Sequence, residues 1–267
     1  MTERSPLPPP GRFERVSALN FALLVAVGAV ILASVGDVAP SVGRLIDGVP
    51  RIVNLVDRML PPDTDPRFLE RMFWRIVETL QIALVGTAIG VLISVPFAWG
   101  AARGVSPFGP GAFLFRAVIS LARTVPDLVW ALIFVSAVGL GAVAGTLTIV
   151  VDTLGFCGRF FAEAMEDAEK EPQEALQSFG ASRFSVLMGS VIPDALPSMI
   201  NTTLFALEKA VRSSVVLGLV GAGGIGQELK TAFDLFDYPK ASAIILAIFA
   251  IVLVMEYVTD RLRAKVQ

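Results

Sequence analysis

Six stretches along this chain are predominantly apolar, and too long and too even to be one buried face of a water-soluble helix. They run over about residues 16 to 36, 76 to 99, 117 to 140, 143 to 161, 195 to 220 and 241 to 260, each near the roughly 20 mostly apolar residues that a membrane-crossing helix needs. A helix satisfies its own backbone in lipid, so the pattern predicts an all-α polytopic membrane protein of about six transmembrane helices. An even count puts both termini on one side. The first window also fits a secretory signal, with Arg4, Arg12 and Arg15 ahead of it and the small residues of LASVG at its end. The later windows commit the chain to the bilayer under either reading.

Between the first two windows the pattern changes. Val42, Leu45, Ile46, Val49, Ile52, Val53, Val56 and Leu60 keep a helical spacing among charged residues, with Pro50 interrupting it. This predicts two short amphipathic pieces lying on the membrane face, ended by PPDTDP. Between the fourth and fifth windows lies EKEPQEALQSFGASRFSVLMGSVIPDALP. Pro172 suits the first turn of a helix, Gly180 the position just past its end, and Ser182 the cap of a second short helix starting near Arg183. Two short helices meeting at an elbow are expected, with Glu174 and Gln177 facing outward beside Leu176 and Phe179. The elbow reads either as a plain connection or as a docking element for a soluble partner.

After the fifth window comes VGAGGIGQ, in which Gly221, Gly223 and Gly226 match the G-x-G-x-x-G of dinucleotide loops. That motif has meaning only between a strand and a helix N-terminus, whereas here it follows an apolar window. Gly221, Gly223, Gly224 and Gly226 can simply break the helix and let the chain turn, but they are more than a turn requires, which leaves two readings: close backbone packing, or a mobile segment at the mouth of whatever the helices enclose.

Composition narrows the chemistry. The 267 residues are 54% hydrophobic and 17% charged, with a formal net charge of −2, which argues against a nucleic-acid partner. Histidine is absent and Cys157 is the single cysteine, so the commonest general base and metal ligand is missing and no internal disulfide is possible. Lys and Arg number about ten on the side of the termini, about eight on the other and about four within the windows, a bias that places the termini in the cytoplasm. The inner four windows carry Glu78, Arg123, Asp127, Asp152, Glu208, Lys209 and Arg212. Charges at that depth are costly and should face protein or water, so these four form the expected working bundle. Glu208 and Arg212 have the spacing of an ion pair on one helix. Either they only neutralise each other or Arg212 also contacts a passing anion. Three cations against four anions give no clear positive field.

Glu174, Ala175, Gly180, Val191, Ile192, Pro193 and Pro197 match the E-A-A-x-x-x-G and I-x-L-P-type pattern of the coupling segment in membrane subunits of bacterial ABC importers, which the chain resembles over about residues 74 to 262. Leu176 stands where that family often has Ala. RTVPDLVWALIFVSAVGLG, EKAVRSSVVLGLVGAGGIGQ and LFDYPKASAIIL look like the phosphonate importer permeases in particular. The resemblance implies a type I ABC importer permease architecture, with residues 1–73 as cytoplasmic tail, first span and external connection, and 74–262 as permease core with a coupling segment at 163–193. It implies ATPase coupling through Glu174, Ala175, Leu176, Phe179, Gly180, Ala181, Ser182 and Arg183. A path along Arg123, Asp127, Glu208, Arg212 and Ser213, and an outer gate or docking face at the glycine run, complete the implied sites. The implied partners are a second permease subunit, identical or not, two cytoplasmic ATPase subunits and an external phosphonate-binding protein, in a bacterial inner membrane. No G-x-x-x-x-G-K-[ST] occurs, so ATP and Mg are expected on the ATPase chain, with no cofactor or metal on this one and no enzymatic activity of its own. Permeases for phosphite, phosphate esters or methionine are the near alternatives. A secondary transporter is a more distant one, since no inverted repeat is visible. An intramembrane enzyme is more distant again, for want of any nucleophile–base arrangement.

Overall fold

The computed structural model describes residues 17–39 and 42–265, so the basic tail with Arg4, Arg12 and Arg15 lies outside it. The chain divides into two compact units, residues 1–56 and 57–267. In the first, helix α1 (Ala18–Val38) is predominantly apolar and long enough to cross a membrane. Helix α2 (Val42–Met59) begins in this unit and ends in the next. It runs unbroken through Pro50, which corrects the expectation of two pieces. Pro50 removes one backbone hydrogen bond, but Ile46, Val49, Val53 and Val56 stay in phase across it, so one amphipathic helix keeps a single apolar stripe.

The second unit is built on helix α3 (Pro66–Ala101), 36 residues long. Its start is fixed by Asp65, whose carboxylate accepts from the backbone N–H of Phe68 at 3.3 Å, with Pro66 in the first turn. Two helices then make the third window: α4 (Ala112–Thr124) and α5 (Asp127–Val138), bent by 93° at the break. The cause is local. Pro126 drives the preceding Val125 into extended backbone, ψ 125°, and ends α4. Gly139 and Gly141, at φ 92° and 126°, turn the chain into α6 (Ala142–Glu166).

The elbow consists of α7 (Lys170–Ser178) and α8 (Arg183–Val186), followed by a π turn (Leu187–Val191) and α9 (Ile192–Gly218). Pro193 cannot donate to the helix ladder and its ring crowds the preceding turn, which accounts for the widened helix just ahead of it. Helix α10 (Ile225–Asp234) and helix α11 (Tyr238–Arg263) complete the chain. Among the described residues α1, α3, α6 and α11 are each long and apolar enough to span, and the bent α4–α5 pair passes together. The fifth window, α9, has 27 residues, long enough to span, but it carries Asp194, Glu208, Lys209 and Arg212.

Helices α3 and α6 cross almost backbone to backbone. A Cβ added at Gly86 would lie 2.6 Å from Cβ of Ile149, and one at Gly90 would lie 2.5 Å from Cβ of Thr153. Small residues four apart on one helix facing β-branched residues four apart on the other give close van der Waals packing where lipid supplies no hydrophobic drive. Toward the elbow the core continues with Ala98, Phe161, Met165, Leu187, Val191 and Met199. Toward the other end it continues with Ile82, Ala131, Val211, Leu217 and Ala222.

Gly90→Val is expected to destabilise the purified chain by about 1 to 3 kcal/mol or to prevent its assembly, as overpacking does. Gly28→Ala on α1, where a new Cβ would meet nothing within 4 Å, serves as the control. Thermal unfolding in detergent reads both, and equal melting temperatures would refute the crossing as a stability determinant.

Candidate functional site

The elbow forms as its punctuation predicts. Gly180 sits at φ 79° past the end of α7, its N–H donating to the Gln177 carbonyl at 2.9 Å, while the Ala181 N–H reaches back to the Leu176 carbonyl at 3.1 Å. The Ser182 hydroxyl accepts from the Ser185 N–H at 3.2 Å and caps α8. Glu174, Ala175, Ser182 and Arg183 are exposed, Leu176 and Ala181 are half-buried, and Phe179 stands 89% exposed at the tip. Arg183 donates to the Ser106 carbonyl at 3.3 Å, and Trp99 on α3 meets the ring of Phe184 at 6.0 Å. The elbow therefore offers an apolar tip outward and is rooted through Val186, Leu187 and Val191 in the core.

The glycine run lies at the far end of α9, roughly 40 Å away at 1.5 Å per residue. Gly221, Gly223 and Gly224 all have positive φ, between 72° and 91°. Of the two readings, the packed turn is the one the geometry shows. Ala222, Gly223, Gly224 and Gly226 are buried. A Cβ at Gly224 would come within 2.5 Å of Oγ1 of Thr79, and one at Gly226 would strike the Val215 carbonyl. That Thr79 hydroxyl accepts from the Ile225 N–H at 2.8 Å and donates to the Arg75 carbonyl at 2.9 Å, tying the turn to α3. Close by, Arg75 binds both Glu78 at 2.7 Å and Glu228 at 3.2 Å. The exposed apolar surface beside the turn belongs to Leu235 and Phe236, 72% and 69% exposed, so the glycines give close approach and their neighbours give the surface.

Between the two ends runs a row of aromatic rings with cations over them. Arg123, from the end of α4, stands 5.9 Å from the Phe160 ring centre. Phe160 meets Phe156 one turn earlier on α6, and Phe156 stacks on Phe205 of α9 at 5.6 Å. Lys209 lies over Phe156 and Arg263 of α11 over Phe205, at 5.3 and 5.6 Å. Asp152 takes Lys209 with both oxygens, at 2.7 and 2.9 Å. Glu208 binds Arg212 at 2.7 Å as the spacing predicts, and also Arg263 at 2.9 Å. Glu208 is 11% exposed, whereas Arg212 is 52% exposed. Asp127 caps nothing beyond its own neighbour, accepting from the Leu128 N–H at 2.9 Å, and makes no pair with Arg123 across the bend. Ser213 is half-buried one residue past Arg212.

Three cations, Lys209, Arg212 and Arg263, thus share Asp152 and Glu208, Asp260 also pairs with Arg263 at 3.4 Å, and Arg123 completes the row over Phe160. Glu78 is drawn into the cluster with Arg75 and Glu228, and Arg263 joins from a helix end that no spacing rule connects to Glu208. The pairs Lys209–Asp152 and Arg263–Glu208 are separated by 57 and 55 residues and carry no local signal.

The family described as binding-protein-dependent transport system inner membrane component matches residues 82–267. The chain belongs to this family. It is a membrane permease subunit of the ABC importer kind, and ATP hydrolysis belongs to a separate subunit. The permease is 39% identical over 219 residues to a phosphate-import permease protein of Mycolicibacterium smegmatis, an alignment covering 82% of this chain and 41% of that one. It is 38% identical over 220 residues to a putative phosphite transport system permease protein of Stutzerimonas stutzeri, covering 82% and 77%. A chain of the inward-facing MetNI methionine ABC transporter superposes with a TM-score of 0.67 at 19% identity, over 76% of this permease and all of that chain, and so shares the fold.

Because Glu208 keeps Arg263 when Arg212 is removed, Arg212→Ala is expected to cost less than about 1 kcal/mol, the usual worth of an exposed ion pair. Glu208→Ala removes the partner of Arg212 and leaves Arg263 only the longer contact to Asp260, at 3.4 Å, and is expected to cost about 1 to 3 kcal/mol. Thermal unfolding of the two variants side by side checks this, and a larger loss for Arg212→Ala than for Glu208→Ala would contradict the shared-carboxylate arrangement.

Proposed function

We propose that this permease forms half of the membrane path of an importer for small phosphorus oxyanions, phosphonates foremost, delivered by an external binding protein. In this reading two permease subunits pair, two ATPase subunits carrying ATP and Mg bind inside the cell, and the elbow with Phe179 at its tip seats in the ATPase. Both termini face the cytoplasm, and the glycine turn with Leu235 and Phe236 faces outward toward the binding protein. The observation that carries the cargo class is the set of cations held over ring faces on the aromatic row, joined to relatives named for phosphate and phosphite. Cations held over ring faces and shared carboxylates stay available to an oxyanion without closing on it, which favours passage over tight retention.

The test is uptake into vesicles by the permease reconstituted with its ATPase and binding protein, using methylphosphonate, phosphite, phosphate and D-methionine as cargo. Saturable oxyanion uptake without methionine uptake is expected, and the reverse would overturn the cargo class. Arg212→Ala should assemble and keep ATPase attachment, yet lose about tenfold in uptake, the scale of one charge-assisted hydrogen bond. Gly180→Val forces a β-branched residue into left-handed backbone at about 1 to 2 kcal/mol and should loosen the ATPase, while Gly180→Asn, which tolerates that backbone, should retain it.

Orientation has its own test. Ala222 is buried and a poor reporter, so a cysteine is placed at Leu235 in a Cys157→Ala background. An impermeant thiol reagent should label it from outside intact cells. Labelling only after the membrane is opened would reverse the assignment of sides.

A further inference from the structure

Two cavities at the elbow end of the second unit share a wall made by Arg103 and Arg116. The larger, about 600 Å³, is completed by Arg183 from α8 and by Gln173 and Gln177 from α7, and no carboxylate lines it. The smaller, about 370 Å³, adds Arg123 and Arg159. Its two carboxylates are already engaged: Glu163 pairs with Arg159, and Glu166 accepts from the backbone N–H of Arg103 at 2.8 Å. Among the described residues no carboxylate pairs with the guanidinium of Arg103, Arg116 or Arg183, and Nε of Arg116 is buried without an acceptor. A buried donor with no partner is uncommon in a folded protein and marks a missing acceptor. In the larger cavity, whose charged lining residues are Arg103, Arg116 and Arg183, concave walls of one charge sign focus the field on the space between them.

We infer that these joined cavities are a binding site for a phosphoryl- or phosphonyl-type oxyanion. The arginines arrive from three separate elements, the loop after α3, the first turns of α4, and α8. Forks converging from several directions suit a tetrahedral group with several terminal oxygens better than a planar carboxylate. A ligand held there joins α4 to both helices of the elbow, because Arg116 lines the same space as Gln177 and Arg183. The residues are distinct from the aromatic row except for Arg123, which touches both. Such an oxyanion has two sources, an anionic phospholipid headgroup or a free solute, and the chemistry of the site admits each.

The experiment uses the full chain in nanodiscs, so that it reads binding independently of uptake. In discs of phosphatidylcholine alone, inorganic phosphate and methylphosphonate are titrated by thermal shift. In discs containing phosphatidylglycerol, retained lipid is counted by native mass spectrometry. Binding of the free anions in neutral discs, weakened about tenfold by Arg116→Ala as the loss of one charge-assisted hydrogen bond predicts, supports a solute site. Retention of phosphatidylglycerol by the wild type and its loss in Arg116→Ala supports a lipid site. Arg103→Ala, at an exposed residue, provides the same comparison should Arg116→Ala fail to fold, and Arg116→Lys should bind more weakly than wild type but better than Ala. If neither probe binds, or if both bind the arginine variants as they bind the wild type, the inference is overturned.

Discussion

The close crossing of α3 and α6 governs what the rest of this permease can do. Lipid is as apolar as leucine, so helices in it gain nothing from hiding oily surface and hold together by contact alone. Gly86 and Gly90 let two backbones approach until Ile149 and Thr153 fill the space a side chain would take. Helix α6 uses the same device on its other sides. A Cβ at Gly155 would lie 2.7 Å from the Arg123 backbone nitrogen, and one at Gly158 would lie 3.1 Å from Ile119, so α4 too is drawn against it. Gly145 meets the Ala222 carbonyl and seats the glycine turn. Helix α6 is therefore the hub, and the placement of Arg123 over Phe160 follows from how near α4 is allowed to come.

What the sequence disclosed is what neighbours along the chain decide. The elbow was legible because Pro172, Gly180 and Ser182 act on backbone within a turn of themselves, and the hydrogen bonds of Gly180, Ala181 and Ser182 bear this out. The pair Glu208–Arg212 was legible for the same reason. The apolar windows gave the long helices but not the bend at Val125, where Pro126 was visible and its 93° consequence was not. Pro50 misled in the opposite direction, since a proline breaks a helix only when nothing else holds its two halves in phase. Partners brought together by packing left no trace: Arg263 with Glu208, Lys209 with Asp152, and Glu228 with Arg75. Which charges group together was likewise hidden along the chain, because charges act across helices.

The glycine run shows how one motif can be read by its surroundings. Positive φ at Gly221, Gly223 and Gly224 is what a phosphate loop also needs, yet here the space beneath the glycines is filled by Thr79, Ala142 and Leu140. The N–H of Ile225 at the start of α10, the group that would meet a phosphate, is taken by the Thr79 hydroxyl. The glycines are spent on protein packing, with Gly224 against Thr79 and Gly226 against the Val215 carbonyl.

That packing makes α9 a rod fixed at one end and adjustable at the other. At the glycine turn it is clamped: Gly218 sits against Gly223 and Gly226, and the turn is bound to α3 through Thr79 and to α6 through Gly145. At the elbow it passes into a π turn next to Pro193 and Pro197, where the ladder of hydrogen bonds is already interrupted. A displacement of α7 and α8 must either be absorbed in that turn or carried along α9. Midway along the rod sit Phe205, Glu208, Lys209 and Arg212, held to α6 and α11 by ring contacts and ion pairs that are polar, partly exposed and individually weak. One fixed end, one adjustable end and exchangeable contacts between them are what a two-position element requires, because packed cores shift between discrete arrangements and do not deform smoothly. The aromatic row is thus the part of the bundle whose partners can change at least cost, and it is also where Arg123, Lys209 and Arg263 lie over ring faces.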